Sequence, residues 1–237
     1  MLEVNHVKKS YKDKLAVDDI SFTLQEGEVL GLLGANGAGK STTLSMIATL
    51  VKPDSGDIIW EGESILKTPV AIRKVLGYVP QDIALYEKLT GIDNLQFWGR
   101  AYDLKGQELK HAIHRVSEMI DLSEQQLKQH VNTYSGGMKR RLNIGAAMLH
   151  NPKLVVMDEP TVGLDVVSRK AILQAIKNIY KEGTSIIYTG HYLDEVQDLC
   201  NRIVIMEQGK IIVDGLTNEL LHKSDSLEQY YLNVIDA

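Results

Sequence analysis

The first third of the chain has the apolar and polar spacing of β-strands. Residues 17–24 alternate in part between apolar and polar, which predicts a strand. Val29–Leu33 is almost wholly apolar, as in a strand that is covered on both faces. After a glycine-rich loop, apolar positions at Leu44, Ile47, Ala48 and Val51 follow one helical face. We expect residues 53–56 to end this helix and to begin a short strand over residues 57–60.

The middle of the chain has helical spacing instead. Between about residues 90 and 129, apolar positions from Leu109 to Ile120 recur every three or four residues, and Ser123 can cap a further short helix. This pattern predicts an α/β core with helices inserted in its middle. The predicted elements that follow are strands over residues 154–157 and 185–189, a helix over 166–181, a hairpin over 202–214 and a helical tail from Thr217.

The composition is that of a soluble globular protein. Hydrophobic residues make up 44% and charged residues 24% of the 237 residues. The longest apolar runs are strand-length, well short of the ~20 residues of a membrane-spanning helix, and the first residues do not have the pattern of a secretory signal. If the protein acts at a membrane, we therefore expect another chain to cross it. The net charge of -5 disfavours a nucleic-acid partner.

The most specific motif is the phosphate loop Gly34-Ala35-Asn36-Gly37-Ala38-Gly39-Lys40-Ser41, followed by Thr42. Its glycines let backbone N–H groups point at an anion, and a helix beginning near Lys40 adds the positive end of its dipole. Lys40 can reach the β- and γ-phosphates, and the Ser41 hydroxyl can bind Mg²⁺. An ordinary glycine turn is disfavoured, because an apolar strand precedes the loop and an amphipathic helix follows it. The motif predicts nucleotide binding.

Two adjacent acids, Asp158 and Glu159, follow a buried strand and precede Pro160. Asp158, at the carboxyl end of that strand, is placed to bind Mg²⁺, which prefers oxygen ligands. Glu159 points to the opposite face, and Pro160 restricts it to extended or turn geometry. Glu159 can thus act as the general base on the attacking water. The alternative, that the acids face solvent at a strand end, is less favoured with a phosphate loop upstream.

A second glycine-rich segment, Tyr134-Ser135-Gly136-Gly137-Met138, opens a predicted helix and so forms a second anion-binding terminus. With this segment the chain resembles, over nearly its whole length, the ATP-binding subunits of ABC transporters. In that family the Ser-Gly-Gly core binds the γ-phosphate of ATP held by a partner subunit. The resemblance therefore implies a partner, either a second copy of the chain or a homologous ATPase subunit. Tyr134 and Met138 depart from the usual Leu-Ser-Gly-Gly-Gln.

Other positions match the family in the same order. Tyr11 resembles the aromatic residue that stacks on adenine, although a half-buried strand tyrosine is equally expected there. Gln81 resembles the glutamine that contacts Mg²⁺ and water and relays to the membrane subunit. His191 resembles the switch histidine that senses the γ-phosphate. Asp165, after Gly163 and Leu164, resembles part of the segment that touches the partner's active site, and it would also suit the cap of the next helix.

The resemblance also implies the fold. It implies a P-loop NTPase (RecA-like) core with an N-terminal antiparallel β-subdomain and an inserted α-helical subdomain. We expect a single ATPase domain over residues 1–237, with the β-subdomain and core in 1–89 and 151–215, the helical subdomain in about 90–150 and a helical tail in 216–237. The basic run Lys139-Arg140-Arg141 is interpreted as a solvated helix face. Together with the signature segment, this run gives the sequence Tyr-Ser-Gly-Gly-Met-Lys-Arg-Arg-Leu. That sequence resembles the family branch that works with ABC-2-type permeases, which are largely exporters.

The function implied is an ATP-hydrolysing motor of an ABC transporter, with ATP and Mg²⁺ as cofactors. Such a motor is cytoplasmic and peripheral on the inner face of the cell membrane, held there by a separate transmembrane permease. The alternative is a soluble ABC-type ATPase that acts on ribosomes or DNA, but these proteins commonly have tandem ATPase halves or long coiled-coil inserts. A GTPase or small-molecule kinase would leave Ser135, Gly136 and Gly137 unexplained.

Overall fold

The computed structural model describes residues 1–235. Its strands are β1 (Leu2–Tyr11), β2 (Lys14–Leu24), β3 (Val29–Leu33), β4 (Ser55–Trp60), β5 (Glu63–Ser64), β6 (Leu76–Val79), β7 (Leu154–Met157), β8 (Ser185–Tyr188), β9 (Arg202–Glu207) and β10 (Lys210–Leu216). Its helices are α1 (Lys40–Ile47), α2 (Pro69–Arg73), α3 (Gly91–Ala101), α4 (Gly106–Met119), α5 (Glu124–Leu127), α6 (Gly136–Met148), α7 (Val166–Lys181), α8 (Leu193–Leu199), α9 (Thr217–Leu221) and α10 (Leu227–Ile235), with a short 3-10 helix at Val131–Thr133.

The chain forms two compact units. One contains Met1–Arg73 together with the chain from Ser185 onward, and the other contains Lys74–Thr184. None of the helices between residues 1 and 235 has the length and apolar character needed to cross a membrane.

The first unit contains the predicted antiparallel β-subdomain. Its sheet has the strand order β2-β1-β4-β5, and each neighbouring pair is antiparallel. Val4 pairs with Phe22 on one side and with Ile58 on the other, and all three side chains are buried. Apolar residues at alternate positions thus cover one face of the sheet, as the spacing of residues 17–24 predicts.

A second set of strands in this unit has the order β10-β9-β3-β8. β3 is parallel to both β8 and β9, and every residue of β3 and β8 is buried. This confirms the prediction of a strand covered on both faces. Because carboxyl ends of parallel strands meet at one edge, the loop that follows β3 and residues 189–191 after β8 lie at the same edge. β9 and β10 form the predicted hairpin, which continues to Leu216.

Helix α1 is shorter than the apolar spacing predicts, so Val51 is not on it. It ends with Thr49 in the left-handed conformation, at φ 58°. The Leu50 N–H donates to the Ser45 carbonyl at 2.9 Å, and the Thr49 N–H donates to the Met46 carbonyl at 3.1 Å. These are the two bonds of a Schellman C-cap, which glycine usually closes. The prediction that residues 53–56 end the helix was wrong, because threonine occupies the cap position and gives no glycine signal.

In the second unit β6 and β7 are parallel neighbours, and Val79 pairs with Met157. Residues 80–81 after β6 and residues 158–159 after β7 therefore leave the strands at the same edge. Helices α3 to α6 confirm a helical region between these strands. Within it Gly145 of α6 lets α4 approach closely, since a Cβ there would lie 2.7 Å from Ile120 Cδ1 and 2.8 Å from Val116 Cγ1.

Two predicted caps are confirmed. The Ser123 hydroxyl accepts from the Gln126 N–H at the start of α5, and the Gln126 side chain accepts from the Ser123 N–H. Asp165 Oδ1 accepts from the Val167 and Ser168 N–H groups at 2.9 and 3.0 Å and so caps α7. The donated bonds hold the pKa of Asp165 below its ordinary value, mainly through the Ser168 N–H.

The tail after residue 216 is helical, as predicted, and consists of α9 and α10. Leu220 and Leu227 are buried apolar side chains of this tail, at 3% and 0% exposure. Residues 236 and 237, which the predicted tail includes, lie outside the described range.

Candidate active site

The loop after β3 has a backbone that glycine alone suits at two positions. Gly34 has φ 149°, and a Cβ there would lie 2.2 Å from the Met206 carbonyl oxygen. Gly39, directly before α1, has φ 106°, and its Cβ would lie 2.5 Å from the Ala16 carbonyl oxygen. A loop curled in this way turns its N–H groups inward, which makes a concave anion-binding surface.

Lys40 follows this loop as the first residue of α1 and is only 4% exposed. Its ammonium donates to the carbonyl oxygens of Gly34 at 2.7 Å and of Ala35 at 3.2 Å, across the loop. Within the described chain no side chain caps the start of α1, so its first N–H groups can bind an anion. Ser41 is exposed on the first turn of α1. Loop, ammonium and helix terminus together fit a polyphosphate.

Two further predicted residues belong to the same unit. His191 is exposed and follows Thr189 and Gly190 at the edge where the phosphate loop lies. Tyr11 ends β1 and is 47% exposed, with the Lys9 ammonium 5.7 Å from its ring centroid. An exposed aromatic face can stack on a flat base, so the adenine-stacking role of Tyr11 stays a prediction.

In the second unit the two acids after β7 are nearly buried. Asp158 is 4% and Glu159 5% exposed. The Asp158 N–H donates to the Val79 carbonyl at 2.9 Å and continues the β6–β7 ladder by one residue. Glu159 has φ 48°, in the left-handed region, and begins a turn that leads into Pro160. Non-glycine residues rarely adopt this conformation, and such strain is typical of functional sites.

The structure brings Gln81 and Glu159 together. The Gln81 side-chain Nε2 donates to Glu159 Oε2 at 2.9 Å, although the two residues are 78 positions apart. The contact follows from the parallel pairing of β6 and β7, which places both chain exits at one edge. The amide therefore orients the carboxylate that sequence reasoning assigned to the attacking water.

The signature segment forms the start of α6. The Ser135 hydroxyl is the N-cap and accepts from the Met138 N–H at 3.2 Å, while Ser135 and Gly136 are exposed. Gly137 is buried, and a Cβ there would lie 2.4 Å from Ser168 Oγ. Tyr134, which departs from the family pattern, is 6% exposed and donates its hydroxyl to the Gln126 carbonyl at 2.7 Å. The buried tyrosine thus fixes the start of the signature segment to the chain at Gln126, while Ser135 and Gly136 remain accessible.

The interpretation of the basic run as a solvated face was wrong. Arg140 is 6% exposed, and its guanidinium donates to the carbonyl oxygens of Pro80 at 2.9 Å and of Gln81 at 2.7 Å. The Arg141 side chain is 14% exposed and donates to the Ile120 carbonyl at 3.1 Å, and Lys139 forms an ion pair with Glu87. From sequence alone, three consecutive cations suggest a solvated face, because the carbonyl groups and the carboxylate that they bind lie far away in the chain.

The residues after β6 and β7 include oxygen donors of the kind that Mg²⁺ prefers. Asp158 offers a carboxylate and Gln81 an amide oxygen in the second unit, and Ser41 offers a hydroxyl in the first unit. Residues 1–235 contain no group of three or more His, Cys, Asp and Glu side chains that would hold a metal ion without help. Magnesium usually keeps waters and binds through one or two carboxylates plus substrate phosphates, so this sparse set suits it.

Comparison with known proteins decides the family. The model of the family described as "ABC transporter" matches residues 17–162, which include the phosphate loop, Gln81, the signature segment and both acids. The chain belongs to the ABC transporter family. Within that family it is the ATP-hydrolysing subunit, and the predicted P-loop NTPase fold is confirmed.

Relatives and solved structures agree with this assignment. The linearmycin resistance ATP-binding protein LnrL of Bacillus subtilis (strain 168) is 49% identical over 93% of this chain and 70% of its own length. The Nod factor export ATP-binding protein I of Sinorhizobium fredii (strain NBRC 101917 / NGR234) is 38% identical over 97% of this chain and 67% of its own. The name of the second relative is that of an export protein, and the name of the first is that of a resistance protein.

Two solved structures match the ATPase subunit over most of its length. An ATP-binding subunit of an ABC transporter superposes with a TM-score of 0.88 at 29% identity, covering 99% of each chain. The ATP-binding cassette MJ0796, in a dimeric post-hydrolysis state bound to ADP and Pi, has a TM-score of 0.83 at 25% identity and covers 92% of this chain and 99% of its own.

Proposed function

We propose that this ATPase subunit drives export through a separate membrane permease, and that Glu159 is the general base of its hydrolysis step. The observation that carries the catalytic part is the bond from Gln81 Nε2 to Glu159 Oε2 at 2.9 Å. A buried carboxylate that is oriented by a side-chain amide on a strained turn is suited to accept a proton from water.

The other roles follow from the chemistry of each residue. The loop from Gly34 to Thr42 binds the phosphates through its N–H groups and through the Lys40 ammonium. Ser41, Asp158 and Gln81 would hold Mg²⁺, which would neutralise charge on the phosphate oxygens. His191 contacts the γ-phosphate and Tyr11 stacks on the adenine. Each of these assignments rests on the residue type and its place in the family's order of motifs.

The working unit is a pair of ATPase subunits. Ser135, Gly136 and Gly137 bind the nucleotide held by a second copy of the chain or by a homologous subunit. The exposure of Ser135 and Gly136 at the start of α6 supports this role, since a helix terminus attracts phosphate. In this proposal residues 1–237 act as one ATPase domain, with about residues 90–150 as its helical subdomain.

Coupling to a permease is supported by the relatives. One is named a Nod factor export ATP-binding protein, and another is named a linearmycin resistance ATP-binding protein. The subunit itself works at the cytoplasmic face of the membrane, held there by the permease. The names of these relatives favour this assignment over an ATPase that acts on ribosomes or DNA.

The catalytic proposal is tested with Glu159→Gln, which keeps the size of the side chain and removes its basicity. We expect ATP binding to persist, turnover to fall by about 10²- to 10⁴-fold, and an ATP-bound dimer to accumulate in gel filtration. Glu118→Gln, the same substitution at a carboxylate whose side chain is 72% exposed on α4, should keep the turnover of the unchanged chain. Undiminished turnover in Glu159→Gln would remove Glu159 as the base.

A further inference from the structure

Two buried side chains of α6 hold the segment that contains Gln81. Arg140 and Asn143 are three residues apart and therefore share a helix face, and they are 6% and 4% exposed. The Arg140 guanidinium donates to the carbonyl oxygens of Pro80 and Gln81, at 2.9 and 2.7 Å. Asn143 Oδ1 accepts from the Ala84 N–H at 3.1 Å. The helix thus binds both ends of residues 80–84 through their backbone.

This segment is continuous with the proposed base. The backbone of Gln81 accepts from Arg140, and its side chain donates to Glu159. Ser135, the N-cap of α6, lies five residues before Arg140 on the same helix. A path of direct contacts therefore runs from the signature segment through α6 and Gln81 to the carboxylate.

The charge of Arg140 makes this contact difficult to replace. Burial lowers the pKa of its guanidinium, and the nearby Asp82 carboxylate opposes the shift. An arginine nevertheless stays protonated in proteins, so its charge must be balanced where it lies. The planar fork donates to two carbonyl groups at once, which the single ammonium of lysine cannot reproduce. The position of residues 80 and 81 is consequently tied to the position of α6.

We propose that Arg140 is a positioning residue for hydrolysis, assisted by Asn143, and that it transmits displacements of the signature helix to Gln81 and so to Glu159. This inference rests on the proposed roles of Gln81 and Glu159. Arg140 does not touch the reacting atoms. It acts by fixing the backbone from which the Gln81 amide reaches the carboxylate.

The test compares Arg140→Met with Arg141→Met in the full chain. Both arginines lie on α6, both are largely buried, and both donate to backbone carbonyl groups, but Arg141 binds Ile120 and not the Gln81 segment. Both variants should therefore lose stability. We expect Arg140→Met alone to lower kcat per folded subunit by about 10- to 100-fold, because small misplacement of catalytic groups has effects of that size. ATP affinity, which depends on the loop around Lys40, should stay unchanged.

A second substitution distinguishes positioning from general damage. In a Gln81→Ala background, Arg140→Met should cause no further loss of kcat, since the residue through which it acts is already absent. Arg140→Lys preserves the charge and replaces Arg140→Met in the test if the methionine variant does not fold. Its kcat should lie between the kcat of the unchanged chain and that of Gln81→Ala.

Three results would overturn the inference: unchanged kcat in both Arg140 variants, an equal loss in Arg141→Met, or a full additional loss in the Gln81→Ala background. If Gln81→Ala by itself keeps the turnover of the unchanged chain, the proposed role of Gln81 fails first. That result is recognisable because Arg140 is intact in that variant.

Discussion

Replacing Gly39 by alanine tests whether the phosphate loop depends on a backbone that only glycine suits. Gly39 has φ 106°, and a Cβ would lie 2.5 Å from the Ala16 carbonyl oxygen and 3.2 Å from Met206 Cε. Gly62 offers a matched control, because it has φ 85° and no atom lies within 4 Å of its Cβ position. Both substitutions place alanine in the left-handed region, but only Gly39→Ala also forces atoms together.

Comparing the two variants separates the steric cost of the added methyl group from the cost of the left-handed backbone conformation. An L-residue in the left-handed region costs about 1–2 kcal/mol, and this cost is common to both. Overpacking against neighbours that must shift costs about 1–3 kcal/mol, and this applies to Gly39→Ala alone. The Ala16 oxygen belongs to the backbone of β2 and cannot rotate away. Gly39→Ala should therefore unfold with a free energy about 1–3 kcal/mol below that of Gly62→Ala, or roughly 2–4 °C lower in Tm for each kcal/mol.

Urea unfolding and nucleotide binding measure the two consequences. We expect the unfolding midpoint of Gly39→Ala to lie below that of Gly62→Ala at an equal m-value. Titration with a fluorescent ATP analogue should show weaker binding in Gly39→Ala only, because Gly39 directly precedes α1 and orients Lys40. Equal midpoints, or unchanged affinity in Gly39→Ala, would refute the assignment of this glycine to a required loop geometry.

Other parts of the structure predict further outcomes. Burial lowers the pKa of His150 from 6.5 to about 4, and the Leu76 carbonyl opposes the shift. As the pH falls, the unfolded chain therefore protonates His150 before the folded chain does, and the free energy of unfolding should decrease between about pH 6.5 and pH 4. His150→Phe can keep the stack on Tyr102 and should make the free energy from urea unfolding depend less on pH in this range. Gly137→Ala would place a methyl group 2.4 Å from Ser168 Oγ and should lower turnover without weakening the binding of nucleotide to the loop from Gly34 to Thr42. Adding Ser168→Ala should restore part of the turnover in a steady-state assay. Chelation of Mg²⁺ by EDTA should abolish hydrolysis, and added Mg²⁺ should recover it.

Local signals predicted the parts of the fold that depend on neighbouring residues. The loop from Gly34 to Ser41 and the caps at Ser123 and Asp165 each lie within a few residues of the groups they serve. Their geometry can be inferred from residue types and short spacings, and the structure agrees with it.

The parts that the sequence did not predict depend on distant contacts. Arg140 looks like one of three surface cations until the carbonyl groups of Pro80 and Gln81 are brought beside it by the packing of α6. The bond from Gln81 to Glu159 likewise requires β6 and β7 to be neighbours in the sheet. The order of these strands along the chain does not reveal that they pair. Asn143 lies three residues after Arg140 among small and apolar positions of α6, a local pattern that is consistent with a buried polar role.

Affinity purification of the full chain from membranes tests the central claim most directly. If the chain is the motor of a transporter, a multi-spanning permease should co-purify with it, and its ATP turnover in that complex should be lost in Glu159→Gln. Recovery with ribosomes or DNA, and with no membrane protein, would contradict the account.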